Sequence, residues 1–386
     1  MSETKGVLDG VKVLDLSRVL AGPYCAAQLA DLGADVVKIE SPRGDDARGL
    51  GPFKDKESVY FAILNRNKRS VTMNLKDEAD KAAFMDLVRE ADVLIENYRP
   101  GVTSRLGIDW DTLKEVNPKL IYASLSGFGQ DGPFAKRPAY DLIVQAMTGI
   151  MDATGQEGGA PTRVGESLGD VVAGMFMGWS VCAALFDRTR TDQGKHIDVS
   201  MFDSMLALQV TAASMQAATG KLPGRIGNRH PVSVPFDTYP TKDGMVAIAV
   251  ANDTLWGRLA KVMGHEELAE NPDYLGDQNR SDKLEELTEL VSDWTKSLTT
   301  EEALQATEKG GIPAAPIWNL TQALDSEQVR YRNTLGTFDH PIIGSTQYVR
   351  YPVRFETEEP DTEFTTAPSP ALGESSAEDV LKSWKE

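Results

Sequence analysis

Val11-Lys-Val-Leu-Asp-Leu16-Ser-Arg-Val-Leu-Ala-Gly-Pro23-Tyr-Cys-Ala-Ala-Gln-Leu-Ala-Asp31-Leu-Gly33-Ala-Asp-Val-Val-Lys-Ile39 reads as strand, turn, helix, strand. Val11–Leu16 is a short apolar run of buried-strand length. Pro23 opens a helix through about Asp31, at a first-turn position where its missing N–H is harmless. Gly33 ends that helix, and Ala34–Ile39 is a second strand. The alternation continues outward from this unit. Strands are expected at Val71–Leu75, Ala91–Glu96, Leu120–Ser126 and His196–Met201. Helices are expected at Asp77–Glu90, Asp141–Met151, Asp170–Arg188 and Phe202–Thr219. Such a pattern predicts an α/β fold: an open, mostly parallel, Rossmann-like sheet with helices on both faces and ligands at the strand carboxyl ends.

The character changes near Gly220-Lys-Leu-Pro-Gly224. Residues 1–220 are therefore read as a large domain and 221–325 as a small α+β domain. The latter has a strand at Met245–Ala251 and helices at Thr254–Met263, Asp282–Ser297 and Glu301–Lys309. Residues 326–386, with a strand-like run at Tyr348–Phe355 and a helix at Ala377–Trp384, are expected to return to the large domain.

A net charge of −18 over 386 residues, with no lysine/arginine tract, argues against nucleic acid as a partner. Glu356, Glu358, Glu359, Asp361 and Glu363 read as a solvated acidic cluster. Cys25 and Cys182 lie in apolar helical stretches and suit a reducing compartment. The first residues, Met1-Ser-Glu-Thr-Lys-Gly, form no hydrophobic signal region. Val171–Phe186 is uncharged but falls short of the roughly 20 residues of a bilayer span. A cytoplasmic protein with no membrane partner is expected. His196, His230, His265 and His340 are scattered without ligand spacing, so no metal site is predicted.

The turn Ser17–Pro23 offers one glycine where a dinucleotide fingerprint needs three, although Glu40 sits where a ribose-binding acid would. Asn65-Arg-Asn-Lys-Arg-Ser70 is a dense basic turn. Arg99 and Arg105 add a second basic loop after Glu96. Together they suggest capture of a phosphate-bearing ligand by guanidinium groups, against the blander reading of solvated loops. Ser126-Gly-Phe-Gly-Gln-Asp-Gly132-Pro133 leaves room for close backbone approach. Asp170 follows Gly165-Glu-Ser-Leu-Gly169 and heads the uncharged helix. Aspartate is a preferred N-cap, so capping is the bland reading. The sharper one is a nucleophile kept ionised by the helix N-terminus, with preceding backbone N–H groups for an oxyanion.

Several motifs in order resemble family III CoA-transferases, the group named for carnitine-CoA and bile-acid-inducible proteins. They are Leu14-Asp-Leu-Ser-Arg18-Val-Leu-Ala-Gly-Pro23, Leu32-Gly-Ala-Asp-Val-Val-Lys-Ile-Glu40, Asn65–Ser70, Val93-Leu-Ile-Glu-Asn-Tyr-Arg-Pro-Gly101, Ser126–Pro133 and Leu168-Gly-Asp170. The resemblance implies an interlocked homodimer, Asp170 as nucleophile, and coenzyme A thioesters as substrates with no further cofactor. It places CoA contacts at Arg18, Leu20 and Ala21, at Met73, Asn74, Leu75 and Lys76, at Asn97, Tyr98 and Arg99, at Arg105, and at Ala139, Tyr140 and Asp141. The partners it implies are an acyl-CoA and a small carboxylic acid.

Formyl-CoA members of the family carry a glycine-rich loop in the small domain, whereas Gly224-Arg-Ile-Gly-Asn-Arg-His-Pro231 has only two glycines. Ser41-Pro-Arg43-Gly-Asp-Asp46-Ala-Arg48 instead resembles members that use succinyl-CoA and a dicarboxylate, with Arg18, Arg43 or Arg48 as clamp for the distal carboxylate. Two alternatives stay open. A 2-methylacyl-CoA racemase shares the fold, but similar racemases carry histidine where Tyr140 stands, and a phenol is a weak base at neutral pH. A CoA-binding protein without turnover is the other.

Overall fold

A computed structural model describes residues 6–355 and 366–386. The acidic cluster at 356–363 lies outside the described residues. The chain forms two compact units: residues up to Ile150 with Arg163–Val210 and Glu327–Glu386, and Met151–Thr162 with Thr211–Ser326.

The first unit is built on six parallel strands: β1 (Lys12–Asp15), β2 (Asp35–Glu40), β3 (Lys68–Thr72), β4 (Val93–Glu96), β5 (Ile121–Ser126) and β6 (Lys195–Ser200). Their spatial order is 3-2-1-4-5-6, the doubly wound order whose switch point falls between β1 and β4. The central strands read as near-continuous apolar runs because both faces are covered. One face presents Val13, Val36, Ile95 and Ala123 to α1 (Ala21–Asp31) and to the long helix Leu168–Thr191. The other presents Leu14, Val37, Leu94 and Tyr122 to α2 (Glu78–Glu90), α3 (Trp110–Val116) and the C-terminal helix Ala377–Lys385, which brings Val380 and Trp384.

The next helices are α4 (Asp141–Met147), α5 (Leu168–Thr191) and α6 (Met201–Ala207). Since α5 enters a parallel strand, its N-terminus lies at the carboxyl edge of the sheet. The helix is long and apolar enough to cross a membrane by length and composition, longer than the 171–186 stretch suggests; half of its most apolar window is buried in the protein. It packs tightly on α1 because of Gly174. A Cβ there would lie 2.6 Å from the Ala21 carbonyl oxygen, a backbone atom that cannot give way, whereas at Gly178 the nearest atom is 3.7 Å off. Gly174→Ala is expected to destabilise the protein by about 1–3 kcal/mol, outweighing the helix-propensity gain. Gly178→Ala, with room for the methyl, is expected to be neutral or mildly stabilising. Urea midpoints of the two variants check the contrast.

The second unit has an antiparallel sheet of β7 (Phe236–Pro240), β8 (Met245–Ala249) and β9 (Ala314–Pro316). Helices Asp253–Val262, Leu284–Lys296 and Thr300–Lys309 cover it around Trp256, Leu259, Leu287 and Val291.

Some expected elements differ. The strand expected at 71–75 is Lys68–Thr72, so three residues of the basic turn belong to the ladder. The helix expected at 141–151 stops at Met147, ahead of Gly149 at φ +87°, and resumes at Ile150. The helix expected at 202–219 is two helices, ending at Ala207 and restarting at Val210. In the C-terminal region the hairpin is Leu335–His340 with Gly344–Val349, not a strand through Phe355.

Candidate active site

The carboxyl edge of the sheet gathers the loops that follow β1, β3, β4 and β5, and with them the positions to which the resemblance assigns CoA contacts. Arg18, Leu20 and Ala21 follow β1. Met73 to Lys76 follow β3, Asn97 to Arg99 and Arg105 follow β4, and Ala139 and Tyr140 lead into Asp141, the first residue of α4. They differ in what they offer. Lys76, Arg99, Arg105 and Tyr140 are exposed. Met73 is buried in the core beside Val71 and Phe84. Asn74 donates its N–H to Asp80 (2.7 Å) and accepts from Lys76 N–H (3.3 Å), shaping its own loop.

The loop after β1 is held by backbone contacts to buried side chains. The Asn97 amide grips Arg18 from both sides, accepting from its N–H (2.8 Å) and donating to its carbonyl (2.8 Å). Lys38 Nζ donates to Ser17 O (2.8 Å), and Val19 N–H donates to Asp45 (3.1 Å). Val19 has φ +67°, a costly conformation for a β-branched residue that persists where its surroundings impose it. Beneath lies a fully buried ionic group. Lys68 Nζ sits 2.9 Å from Asp15 and also donates to Asn65 (2.9 Å) and Pro23 O (3.0 Å). Lys38 bridges Asp15 (3.9 Å) and Asp45 (2.9 Å). Burial alone would raise Asp15, but Lys68 and Lys38 outweigh it and hold the carboxyl below its usual range.

This group overturns the anion role of Asn65–Ser70. Lys68 is spent on Asp15, Arg66 pairs with Asp31, and Arg69 is bidentate to Asp35 (3.2 and 2.5 Å). Residues 65–67 also enter β3 at its amino end, away from the ligand edge. Arg48 is likewise committed. It is bidentate to buried Glu40 (2.8 and 2.7 Å), donates to Pro370 O (3.2 Å) and stacks on Phe61 (3.9 Å). The Arg18 guanidinium makes an exposed surface pair with Asp46 (2.7 Å), and Arg43 is exposed. Of the three arginines read as clamps, these two keep guanidinium groups available.

Asp170 is not the helix cap. Ser167 occupies that position, and Asp170 is the third residue of α5, half-buried, its carboxylate accepting no hydrogen bond among the described residues. Burial and then the neighbouring Asp141 push it up to about 7, the reverse of the expectation that the helix end alone keeps it ionised. Asp141 does not cap its own helix either. It accepts from Gly169 N–H (2.9 Å) and from Gln145 Nε2 (3.0 and 2.9 Å), so it fixes the Leu168–Gly169 peptide at the start of α5. The Gly169 N–H is thereby committed and does not serve as an oxyanion donor. Gln145 also accepts from Val164 N–H (2.9 Å) and donates to Glu166 O (3.2 Å), tying down the loop that delivers Asp170. Its only sequence signal was its spacing of four from Asp141. Tyr60, also missed, is pushed up to about 12, first by burial and then by Asp170, Asp45 and Glu166. Its phenol therefore stays protonated near the carboxylate. Among the described residues no group of three or more His, Cys, Asp or Glu converges as a metal site.

A carboxylate with a raised pKa on a pinned helix start, at the same sheet edge as loops that carry exposed cations, is suited to acyl transfer with an anionic ligand. The profile of "CoA-transferase family III" matches residues 8–376. The acetyl-CoA:oxalate CoA-transferase of Acetobacter aceti is 47% identical over 86% of this chain and 86% of that protein. The succinyl-CoA:mesaconate CoA-transferase of Haloarcula hispanica is 39% identical over 87% and 86%. A CAIB/BAIF family protein from Brucella suis has a crystal structure that superposes with a TM-score of 0.83 at 36% identity, covering 98% of this chain and all of that one. The chain belongs to CoA-transferase family III, and it is an enzyme of the CoA-transferase class.

Proposed function

We propose that the protein moves CoA from an acyl-CoA, with succinyl-CoA the first candidate, to a short dicarboxylate, through acyl and thioester intermediates on Asp170. The observation that carries this reading is the half-buried carboxylate of Asp170, which accepts no hydrogen bond among the described residues and is set at the sheet edge. The Asp170 oxygen attacks the thioester carbonyl. The C–S bond breaks, leaving a mixed anhydride and CoA thiolate. The thiolate attacks the aspartyl carbonyl, releasing the donor acid and forming an aspartyl-CoA thioester. An acceptor carboxylate then repeats the two steps in reverse. Each step conserves the activated acyl group, and each intermediate must be kept from water. No metal or redox group enters the scheme.

Exposed Lys76, Arg99 and Arg105 supply cations for the CoA phosphates. Arg18 or Arg43 clamps the distal carboxylate of the acceptor, since Arg48 is held by Glu40. Relatives named for oxalate and for mesaconate support a dicarboxylate acceptor. Trp179 and Phe186, exposed on α5, support a homodimer in which a second copy covers them. Two free cysteines suit the cytoplasm.

Mass spectrometry of the protein mixed with succinyl-CoA or acetyl-CoA tests the mechanism. A CoA-sized adduct on the peptide containing Asp170 is expected. An adduct elsewhere, or none with any donor while exchange proceeds, rejects the covalent route. Exchange assays with oxalate, mesaconate and glutarate identify the acceptor class.

A further inference from the structure

Glu96 ends β4 and is almost wholly buried, yet nothing in the proposed chemistry uses it. Its Oε2 accepts the Tyr98 N–H at 2.7 Å. Ser124 is its register partner on the adjacent strand, and the Ser124 hydroxyl meets His196 Nε2 at 3.0 Å. Between Glu96 and Tyr98 stands Asn97, whose amide spends its acceptor and one donor on the Arg18 backbone. On the same side a Cβ on Gly22 would lie 3.5 Å from Asn97 Cγ, so Asn97 packs against the first turn of α1. The loops after β1 and β4, neighbours in the sheet, are thus joined by one side chain whose own peptide is held from below.

We propose that Glu96 is a positioning residue for acyl-CoA binding: it fixes the Tyr98 peptide so that Asn97 clasps Arg18 and the two loops form one platform. This rests on the reading that these loops meet CoA. A buried carboxyl that holds a peptide N–H stiffens the turn. A turn that keeps its shape before the ligand arrives loses less freedom on binding. Burial pushes Glu96 up to about 7, and in either protonation state one oxygen still accepts the Tyr98 N–H.

Hydrogen exchange of the full-length protein without ligand, read with the acyl-CoA KM, tests the clasp. In Glu96→Ala, peptides covering 17–22 and 97–101 are expected to exchange at least about tenfold faster, with helix 253–262 unchanged. The KM for succinyl-CoA is expected to rise about tenfold while kcat stays within about threefold. Glu96→Gln keeps an acceptor for Tyr98 N–H and is expected to restore both readouts. Wild-type protection of 17–22 in Glu96→Ala, or a loss spread over the whole chain, overturns the clasp. Should Glu96→Ala not fold, Asn97→Ala replaces it: unchanged exchange at 17–22 overturns the clasp, and faster exchange there supports it. Failure of the wild-type protein to bind succinyl-CoA and acetyl-CoA would instead reject the functional reading, while the exchange comparison still decides the clasp.

Discussion

Replacing Asp170 by alanine is expected to lower CoA exchange by at least about 10³-fold, with no CoA adduct on the peptide, because the proposed route has no second nucleophile. The wild-type pH dependence follows from the group's surroundings. With Asp170 pushed up to about 7, the attacking carboxylate is depleted below neutrality, so kcat/KM is expected to fall about tenfold per pH unit on the acid side. Stability has the opposite sign. An acid whose folded pKa lies above its unfolded value penalises the native state as pH rises from about 4 through about 7. Asp170→Ala should therefore match wild type near pH 4 and exceed it at pH 8, by about 2 kcal/mol once solvent at this half-buried side chain is allowed for. Exchange assays and urea titrations at the two pH values check both signs. Undiminished exchange in the alanine variant would remove Asp170 from the mechanism.

The second large effect concerns the buried ions below the active-site loop. Asp15→Asn keeps the shape but leaves Lys38 with Asp45 and Lys68 with no carboxylate in contact among the described residues. Stranding buried charge of this kind costs about 3–5 kcal/mol. The native Asp15 carboxyl is held low, so its contribution is full above an unfolded pKa near 4 and is lost as pH falls through the lower folded value. The deficit of Asp15→Asn should be largest at neutral pH and shrink toward pH 2–3, as followed by chemical denaturation. A deficit below about 1 kcal/mol at pH 7 would show that the lysines find other partners.

The alternation from Val11 to Ile39 was legible because a parallel sheet covered on both faces needs apolar runs separated by helix-length segments. Asp170 stood out as a carboxylate ahead of sixteen uncharged residues, but that pattern fits a helix cap equally well, and only the resemblance singled it out as a nucleophile. The basic cluster misled for the same reason that charge alone always does. Arg66, Lys68 and Arg69 find partners in Asp31, Asp15 and Asp35, 34 to 53 residues away, and nothing in local composition records such pairs. Arg48 failed as a clamp because Glu40, buried eight residues earlier, needed a counter-ion. Gln145, Glu96 and the Asn97 grip act through hydrogen bonds that exist only after strands and helices are brought together.

Periodicity and residue type alone thus determined the parallel sheet with helices on both faces, whereas the role read for the carboxylate at the start of α5 came from the resemblance of whole motifs. Tertiary structure alone decided which cations remain for a ligand, that burial pushes Asp170 up to about 7, and that Asp141 and Asn97 spend their side chains on the backbone of other segments. Hydrophobic burial is written in a repeating local pattern. The pairing of charges and hydrogen bonds depends on distances between chain segments that sequence separation does not encode.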